Sequence, residues 1–186
     1  NPYLWPENEA CRKDYSLDMC APSLEILGRK VMLTAKTAWT DVDGCARDPE
    51  RAMRRNAIAA AELAEACAAA SADLLLVSTN EVFDGRRTDG RGYAATDRPS
   101  PRNPYGASKL AGEAAAQAAF LRRGGVVDVP DDAAPPAAPQ LAVVRTAWLF
   151  GPPGNDFPAK IAAAAERARA AGEALRVVGD EVGSPT

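Results

Sequence analysis

Tyr105 and Lys109 are spaced four residues apart in the segment NPYGASKLAGE, which covers residues 103–113. On a helix this spacing places both side chains on one face. A free tyrosine has a pKa near ~10, and a neighbouring ammonium favours the phenolate and so lowers that pKa. The pair could therefore deliver a proton to a carbonyl oxygen while hydride reaches the carbon. The alternative is an ordinary pair on a solvated helix face, because a tyrosine followed four residues later by a lysine is common.

Hydroxyl side chains end the strand that is expected just upstream. The apolar run DLLLVS at residues 73–78 is bounded by polar residues, which is typical of a strand covered on both faces of a parallel sheet. Thr79 follows this run, and ligands gather at the carboxyl ends of parallel strands. Thr79 could hydrogen-bond the same substrate oxygen as Tyr105, or Ser78 and Thr79 could simply cap the strand.

Strands and helices alternate around these residues. Residues 1–28 show no clean period, and residues 124–140 read as a flexible, low-complexity insertion. Asp48-Pro49 is a capping residue followed by proline, which predicts a helix start, and Pro104 predicts another. Strands are expected at 29–35, 73–78, 141–150 and 175–180, and helices at 49–70, 104–122 and 156–171. This order predicts an α/β fold with a parallel sheet.

One face of the first long helix is expected to be buried. Its members recur at spacings of three and four residues: Met53, Asn56, Ala60, Leu63 and Cys67. Asn56 is the only polar member, and we expect a buried amide that is hydrogen-bonded to nearby backbone.

Composition excludes several classes of function. The 186 residues carry a net charge of −3, which leaves no electrostatic footprint for nucleic acid or an anionic membrane. No apolar run approaches membrane-spanning length, and no secretory signal opens the chain. The four cysteines form no CxxC pair and histidine is absent, which argues against a zinc site. We expect buried free thiols and a reducing, cytoplasmic location rather than disulfides.

Four motifs in order carry a family resemblance: VSTNEVFDG, GYAATDRPSPRNPYGASKLAGE, VVRTAWLFGPPGNDF and VVGDEVGSPT. Together they resemble the extended short-chain dehydrogenase/reductases, and within them the dTDP-4-dehydrorhamnose reductases, over roughly residues 37–186. The resemblance implies a partial Rossmann-like, doubly wound parallel sheet with flanking helices, truncated at both ends. It also implies NADPH or NADH as cofactor and a nucleotide-sugar as substrate, whose 4-keto group is reduced.

The resemblance assigns a role to each matching residue. Thr79, Tyr105 and Lys109 match the catalytic set: Tyr105 would donate the proton, Lys109 would lower its pKa and bind the nicotinamide ribose, and Thr79 would orient the keto group. Thr40 falls near the turn that faces the cofactor.

Three further positions match substrate contacts of the family, namely Val42, Asp43 and Trp148. An indole offers a flat apolar surface to a deoxysugar ring. The alternative for Trp148 is a core aromatic near a strand end.

The sequence also departs from the family. No glycines have the GxxGxxG spacing that cradles a pyrophosphate, and residues 1–36 are expected to be irregular and unlike the family. Glu81 stands where tyrosine is frequent, and Ala95 where an acidic residue is frequent. Without the preceding strands, the strand at 29–35 would have an unpaired edge, which predicts poor stability or aggregation.

Other interpretations stay open. A regulatory or scaffold protein of the same lineage, similar to the regulatory subunit of methionine adenosyltransferase, would explain the missing glycine turn. A nucleotide-sugar epimerase or dehydratase is a third option, since Asn80-Glu81 places a carboxyl beside Thr79. The alanine-rich helices at 49–70 and 104–121 either form a homodimer through a four-helix bundle or only pack on their own sheet.

Overall fold

The computed structural model of the chain describes residues 23–26, 29–33, 38–127, 138–148 and 157–177. Five strands form one sheet in the order β1-β2-β3-β5-β4. They are β1 (Ser23–Ile26), β2 (Arg29–Leu33), β3 (Asp73–Thr79), β4 (Val126–Val127) and β5 (Gln140–Thr146). β2 runs parallel to β3, and β4 runs parallel to β5. The expected α/β class, with a parallel sheet flanked by helices, is confirmed.

The edge of the sheet differs from expectation. Residues 23–26 lie in the segment expected to be irregular, but they form β1, which pairs antiparallel with β2. The predicted unpaired edge of the 29–35 strand is therefore wrong, because β2 has β1 on one side and β3 on the other. Pairing between β1 and β2 provides hydrogen-bond partners for the backbone N–H and C=O groups of both strands. The periodicity of side chains within residues 23–26 does not indicate this pairing.

Two further predictions need correction near the end of the described chain. Residues 126–127, expected within a flexible insertion, form β4 against the start of β5. Residues 175–177, expected in a last strand, belong to no helix or strand, and both Leu175 and Val177 are exposed. The rest of that predicted strand, 178–180, lies outside the described residues, as do 149–150 at the end of the predicted 141–150 strand.

The first long helical region starts where the sequence predicts. After α1 (Val42–Arg47) come α2 (Pro49–Ala52), a π-helical segment (Met53–Ile58) and α3 (Ala59–Ala69). The Asp48 side chain caps α2 by accepting a hydrogen bond from the Arg51 amide at 2.9 Å.

The π-helical segment changes which residues are buried. A π turn holds more residues than an α turn, so it rotates the side chains before it relative to those after it. Met53, expected on the buried face, is 41% exposed, whereas Asn56 and Cys67 are buried as expected. Asn56 also makes the expected backbone hydrogen bonds: it accepts from the Trp39 amide at 2.7 Å and donates to the Trp39 carbonyl at 3.0 Å.

The core lies between the sheet and the helices that cover it. The fourth α-helix, α4 (Pro104–Arg122), matches the predicted 104–122 helix, and it packs against α3. The largest buried side chains of the main cluster come from α4, β3 and β5: Phe120, Leu74, Leu76 and Leu141. Cys45 and Cys67 are buried free thiols, as expected, while Cys11 and Cys20 lie outside the described residues.

Two glycines let α4 approach its neighbours closely. A Cβ at Gly106 would lie 2.1 Å from the Glu81 carbonyl oxygen, and one at Gly112 would lie 2.5 Å from the Asn56 carbonyl oxygen. The Asn103 side chain caps the helix by accepting from the Gly106 amide at 2.7 Å. These contacts hold α4, which carries Tyr105 and Lys109, against the residues that follow β3 and against the π-helical segment.

The chain divides after Arg145 into two compact units. The first contains the sheet and helices α1 to α4. The second contains α5 (Phe157–Ala171), which matches the predicted 156–171 helix. Among the described helices, none has both the length and the apolar character needed to cross a membrane.

Candidate active site

Thr79 is the last residue of β3 and is buried. Its hydroxyl oxygen accepts a hydrogen bond from the Glu81 amide at 3.2 Å and so caps the short 3-10 helix Asn80–Val82. The Thr79 side chain also acts on the Tyr105 phenol, whose pKa it lowers. Thr79 therefore caps the turn that follows the strand end, as the alternative from the sequence expects, and its bond to a substrate oxygen stays a prediction.

Tyr105 lies in the first turn of α4 and is only 9% exposed. Burial raises its pKa above the usual value, the Thr79 side chain opposes that rise, and the charges of Cys45 and Glu81 add to it. The expected lowering of the pKa is therefore wrong in this structure, because loss of solvent around the phenol outweighs the other effects. At neutral pH the phenol stays protonated, which is the form that donates a proton.

Lys109 lies one turn further along α4 and is 7% exposed, so the solvated helix face is wrong. Its Nζ donates to the Val77 carbonyl oxygen of β3 at 2.7 Å. Burial lowers its pKa to about 8, and the nearby Glu113 carboxylate acts in the opposite direction. An ammonium has three donors, so the bond to Val77 leaves capacity for a ligand.

Sequence reasoning missed Glu113 and Arg145. Glu113 is buried on α4 and accepts hydrogen bonds from the Ser78 hydroxyl and from Arg145, whose Nη2 lies 2.7 Å from Oε2. The Arg145 guanidinium also lies 5.2 Å from the Phe83 ring centroid. The signal in the sequence was the position of Glu113, four residues after Lys109 and eight after Tyr105, on the same helix face.

The residues expected to contact cofactor and substrate at α1 are exposed. Thr40 precedes α1, and Val42 and Asp43 form its first turn; all three side chains are accessible. Cys45, on the same helix, is fully buried in a cluster with Tyr105. α1 therefore presents exposed side chains from an element that packs directly against the phenol.

Trp148 belongs to the second unit, whereas Tyr105 belongs to the first. The role of Trp148 as a substrate contact stays a prediction. It is 40% exposed and has a φ of 47°. This exposure argues against the alternative of a core aromatic, and the indole remains accessible to a ligand.

Glu81 and Ala95, the two departures from the family pattern, have structural partners. The Glu81 carboxylate accepts from the Asn103 side-chain amide at 2.8 Å, and Asn103 in turn caps α4. The Ala95 carbonyl accepts from Arg145 at 3.2 Å. Glu81 is thus engaged in holding the start of α4.

The described residues fit one end of a nicotinamide cofactor. The buried pair of Tyr105 and Lys109, with unused donors on the ammonium, suits a ribose hydroxyl beside the reacting ring. The pyrophosphate end is different, because no GxxGxxG turn occurs among the 14 glycines of the sequence.

Comparisons with known proteins identify the family of the chain. The model of the family described as "RmlD substrate binding domain" matches residues 26–186, a match that begins earlier than the resemblance read from the motifs. A dTDP-4-dehydrorhamnose reductase from Mycolicibacterium smegmatis is 41% identical over 151 residues, covering 80% of this chain and 39% of that protein. One from Streptomyces griseus is 36% identical, covering 85% of this chain and 44% of its own.

A solved structure supports the same fold. The crystal structure of dTDP-4-dehydrorhamnose reductase from Bacillus anthracis in complex with NADP aligns with a TM-score of 0.59 and 30% identity. The alignment covers 74% of this chain and 41% of that one. The chain thus spans less than half the length of the relatives it matches.

Proposed function

This chain belongs to the RmlD substrate binding domain family, and on that premise we propose that it carries the catalytic centre of an NAD(P)H-dependent reductase. The substrate is dTDP-4-dehydro-6-deoxy-L-mannose, whose 4-keto group is reduced to give dTDP-L-rhamnose. The proposal extends to this chain the activity named for relatives that are longer than it.

One observation carries the proposal: Thr79 at the carboxyl end of β3, Tyr105 and Lys109 are all buried, Lys109 bonds the same strand end, and the Thr79 side chain acts on the Tyr105 phenol. An ordinary pair on a solvated helix face would be exposed. Here both side chains are buried, a threonine hydroxyl lies at the neighbouring strand end, and α4 is capped and packs closely at two glycines. Ligands of parallel α/β sheets bind at this end of the strands.

The chemistry follows from protonation states. A bound reduced nicotinamide would supply hydride to the carbonyl carbon. As the C=O electron pair moves to oxygen, Tyr105 Oη gives that oxygen its proton, and the ketone becomes an alcohol. Thr79 hydrogen-bonds the same oxygen and orients it. Lys109 binds the ribose through N–H groups that Val77 does not use, and in its charged form it stabilises the phenolate left after proton transfer.

The substrate and the cofactor would meet at the exposed start of α1. The family resemblance assigns Thr40 to the cofactor side and Val42 and Asp43 to the nucleotide-sugar. Their accessible side chains beside the Tyr105 cluster support this proposal. Trp148 is assigned an apolar contact with the sugar ring. NADPH and NADH are both proposed as cofactors.

The test is the rate of NADPH or NADH oxidation by this chain with dTDP-4-dehydro-6-deoxy-L-mannose. Tyr105→Phe removes the proton donor and should lower kcat by about 10²–10⁴-fold with the fold retained. Tyr93→Phe is the matched control, because Tyr93 bonds Asp84 in a loop away from Thr79 and Lys109. Turnover by Tyr105→Phe equal to that of the control would reject the proposal, as would an inactive wild-type chain.

A non-catalytic scaffold of the same lineage is the second candidate. It predicts that a protein partner is retained equally by the wild type and by Tyr105→Phe, with no cofactor oxidation by either. A dehydratase is less well supported, because the Glu81 carboxylate is bonded to Asn103.

We also propose a homodimer through helices 49–70 and 104–121. Ile58 and Leu121, on these two helical regions, are 52% and 62% exposed. Light scattering that finds only monomer at high concentration would reject this.

A cytoplasmic location is proposed from the buried free thiols Cys45 and Cys67. Recovery of the chain outside the cytoplasmic fraction of its cell would contradict this location.

A further inference from the structure

Two charged side chains are buried one turn apart on α4. Lys109 is 7% exposed and Glu113 is 2% exposed. Burying an isolated charge is costly, so buried charges in proteins are paired or hydrogen-bonded. Lys109 has the Val77 carbonyl, and Glu113 has the Ser78 hydroxyl and the Arg145 guanidinium.

The end of β3 holds this face of the helix in register. Two consecutive strand residues, Val77 and Ser78, bond two successive turns of α4 through Lys109 and Glu113 respectively. The carboxylate and the ammonium are therefore fixed to the same strand end and cannot drift apart without breaking these bonds.

We propose that Glu113 is a positioning residue: its buried carboxylate, fixed one helical turn from Lys109 and bonded to the next residue of the same strand, holds the Lys109 side chain as an ammonium. The role of Lys109 in reduction rests on the proposed function; the electrostatic link between the two side chains does not. Arg145 and Ser78 hold the carboxylate in place, and Arg145 connects it to the Ala95 backbone.

The surroundings of Lys109 single out Glu113. On its own helix, Tyr105 lies one turn before Lys109 and Glu113 one turn after it. From other elements, Cys45 of α1 and Glu81 of the 3-10 helix bring charges that act on Tyr105. Among the described groups, Glu113 is the charge that opposes the effect of burial on the Lys109 pKa.

A purely structural role for Glu113, as a partner for Arg145, makes a different prediction. Such a role would change stability when Glu113 is neutralised, but it would leave the titration of Lys109 where it is. The protonation of Lys109 is therefore the readout that separates the two roles.

The experiment is an NMR pH titration of the lysine side chains in the isotope-labelled 186-residue chain, with Lys109 assigned by Lys109→Arg. Glu113→Gln keeps the shape of the side chain and removes its charge. It should lower the Lys109 midpoint by about one pH unit or more, since one nearby opposite charge shifts a pKa by about 1–3 units. Glu65→Gln is the control: Glu65 is an ion-paired glutamate at the surface, and its loss changes net charge equally. An unchanged midpoint in folded Glu113→Gln would overturn the proposal.

A second variant keeps the test decisive if Glu113→Gln fails to fold. Glu113→Asp retains the charge on a shorter side chain and should keep the Lys109 midpoint well above that of a neutral variant, within about half a pH unit of the wild type. A drop of a full unit or more in Glu113→Asp would show that the charge is not what sustains Lys109, and would overturn the proposal.

The titration and the reductase assay fail independently. In a chain active as a reductase, Glu113→Gln should move the alkaline limb of the kcat profile to lower pH by the same amount as the Lys109 midpoint. If the chain is active and the Lys109 midpoint is the same in Glu113→Gln as in the wild type, the positioning role is rejected. If the chain is inactive and the Lys109 midpoint falls in Glu113→Gln, the positioning role is supported and the proposed function is rejected.

Discussion

Replacing Lys109 by methionine should change how the stability of the chain depends on pH. Methionine has a similar length and no charge, so it removes the buried ammonium while filling its space. In the wild type, burial lowers the Lys109 pKa from 10.5 to about 8. Between these two values the folded chain holds a neutral amine at this position, whereas the unfolded chain still binds a proton.

The size and sign follow from linkage. Where the unfolded state binds more protons than the folded state, stability rises with pH, by about 1.36 kcal/mol per pH unit for one group. The interval from about 8 to 10.5 spans about 2.5 pH units. The free energy of unfolding of the wild type, minus that of Lys109→Met, should therefore rise by about 3 kcal/mol as pH rises through this interval, and it should be flat below it.

Urea unfolding at several pH values from 7 to 11 measures this difference. Other groups also titrate there: burial raises the Cys67 pKa to about 11, so both proteins lose stability as pH rises above the ordinary thiol value of 9.0. That loss is common to wild type and variant and cancels in the difference. Lys160→Met, at an exposed position of α5, controls for the loss of one positive charge. A wild-type minus Lys109→Met difference that stays constant across the range would refute the buried, shifted ammonium.

The remaining predictions concern how α4 and the π-helical segment are held. Gly106→Ala should destabilise the chain by about 1–3 kcal/mol in chemical unfolding, because its Cβ would lie 2.1 Å from the Glu81 carbonyl oxygen. Gly92→Ala, where a Cβ meets nothing within 4 Å, should leave stability nearly unchanged; equal effects of the two would contradict the close approach. Asn56→Ala should cost about 1–3 kcal/mol, because the Trp39 amide and carbonyl both lose a partner. Hydrogen exchange at the Trp39 amide should then accelerate, and unaltered protection there would argue against the bond.

Much of the site could be predicted because its signals are local. The cap at Asn103-Pro104 marks where α4 begins, and spacing along a helix then places Tyr105 and Lys109 on one face. The apolar run before Thr79 marks β3, and the order of motifs indicates the family. These inferences depend on residues that are neighbours in the chain, where geometry follows from the helical and strand repeats alone.

The π-helical segment is a place where residue spacing in the sequence does not predict which side chains are buried. A regular spacing of three and four residues places Met53 on the buried face, but one widened turn moves it to the surface while Asn56 stays inside to bond Trp39. Nothing in the composition of residues 53–58 distinguishes a π turn from an α turn. Packing against α4 at Gly112, whose missing Cβ makes room for the Asn56 carbonyl, accompanies it.

The amino-acid sequence alone was enough to identify the family and the α/β class, and to predict Thr79, Tyr105 and Lys109 as a catalytic set. It could not predict that Tyr105 has a raised pKa or that Glu113 and Arg145 share the site, because Glu113 and Arg145 are 32 residues apart in the chain. A pKa depends on how much solvent the folded chain removes and on which charges it brings close. Those quantities come from long-range packing between β3, β5 and α4, which spacing within any one of them does not contain.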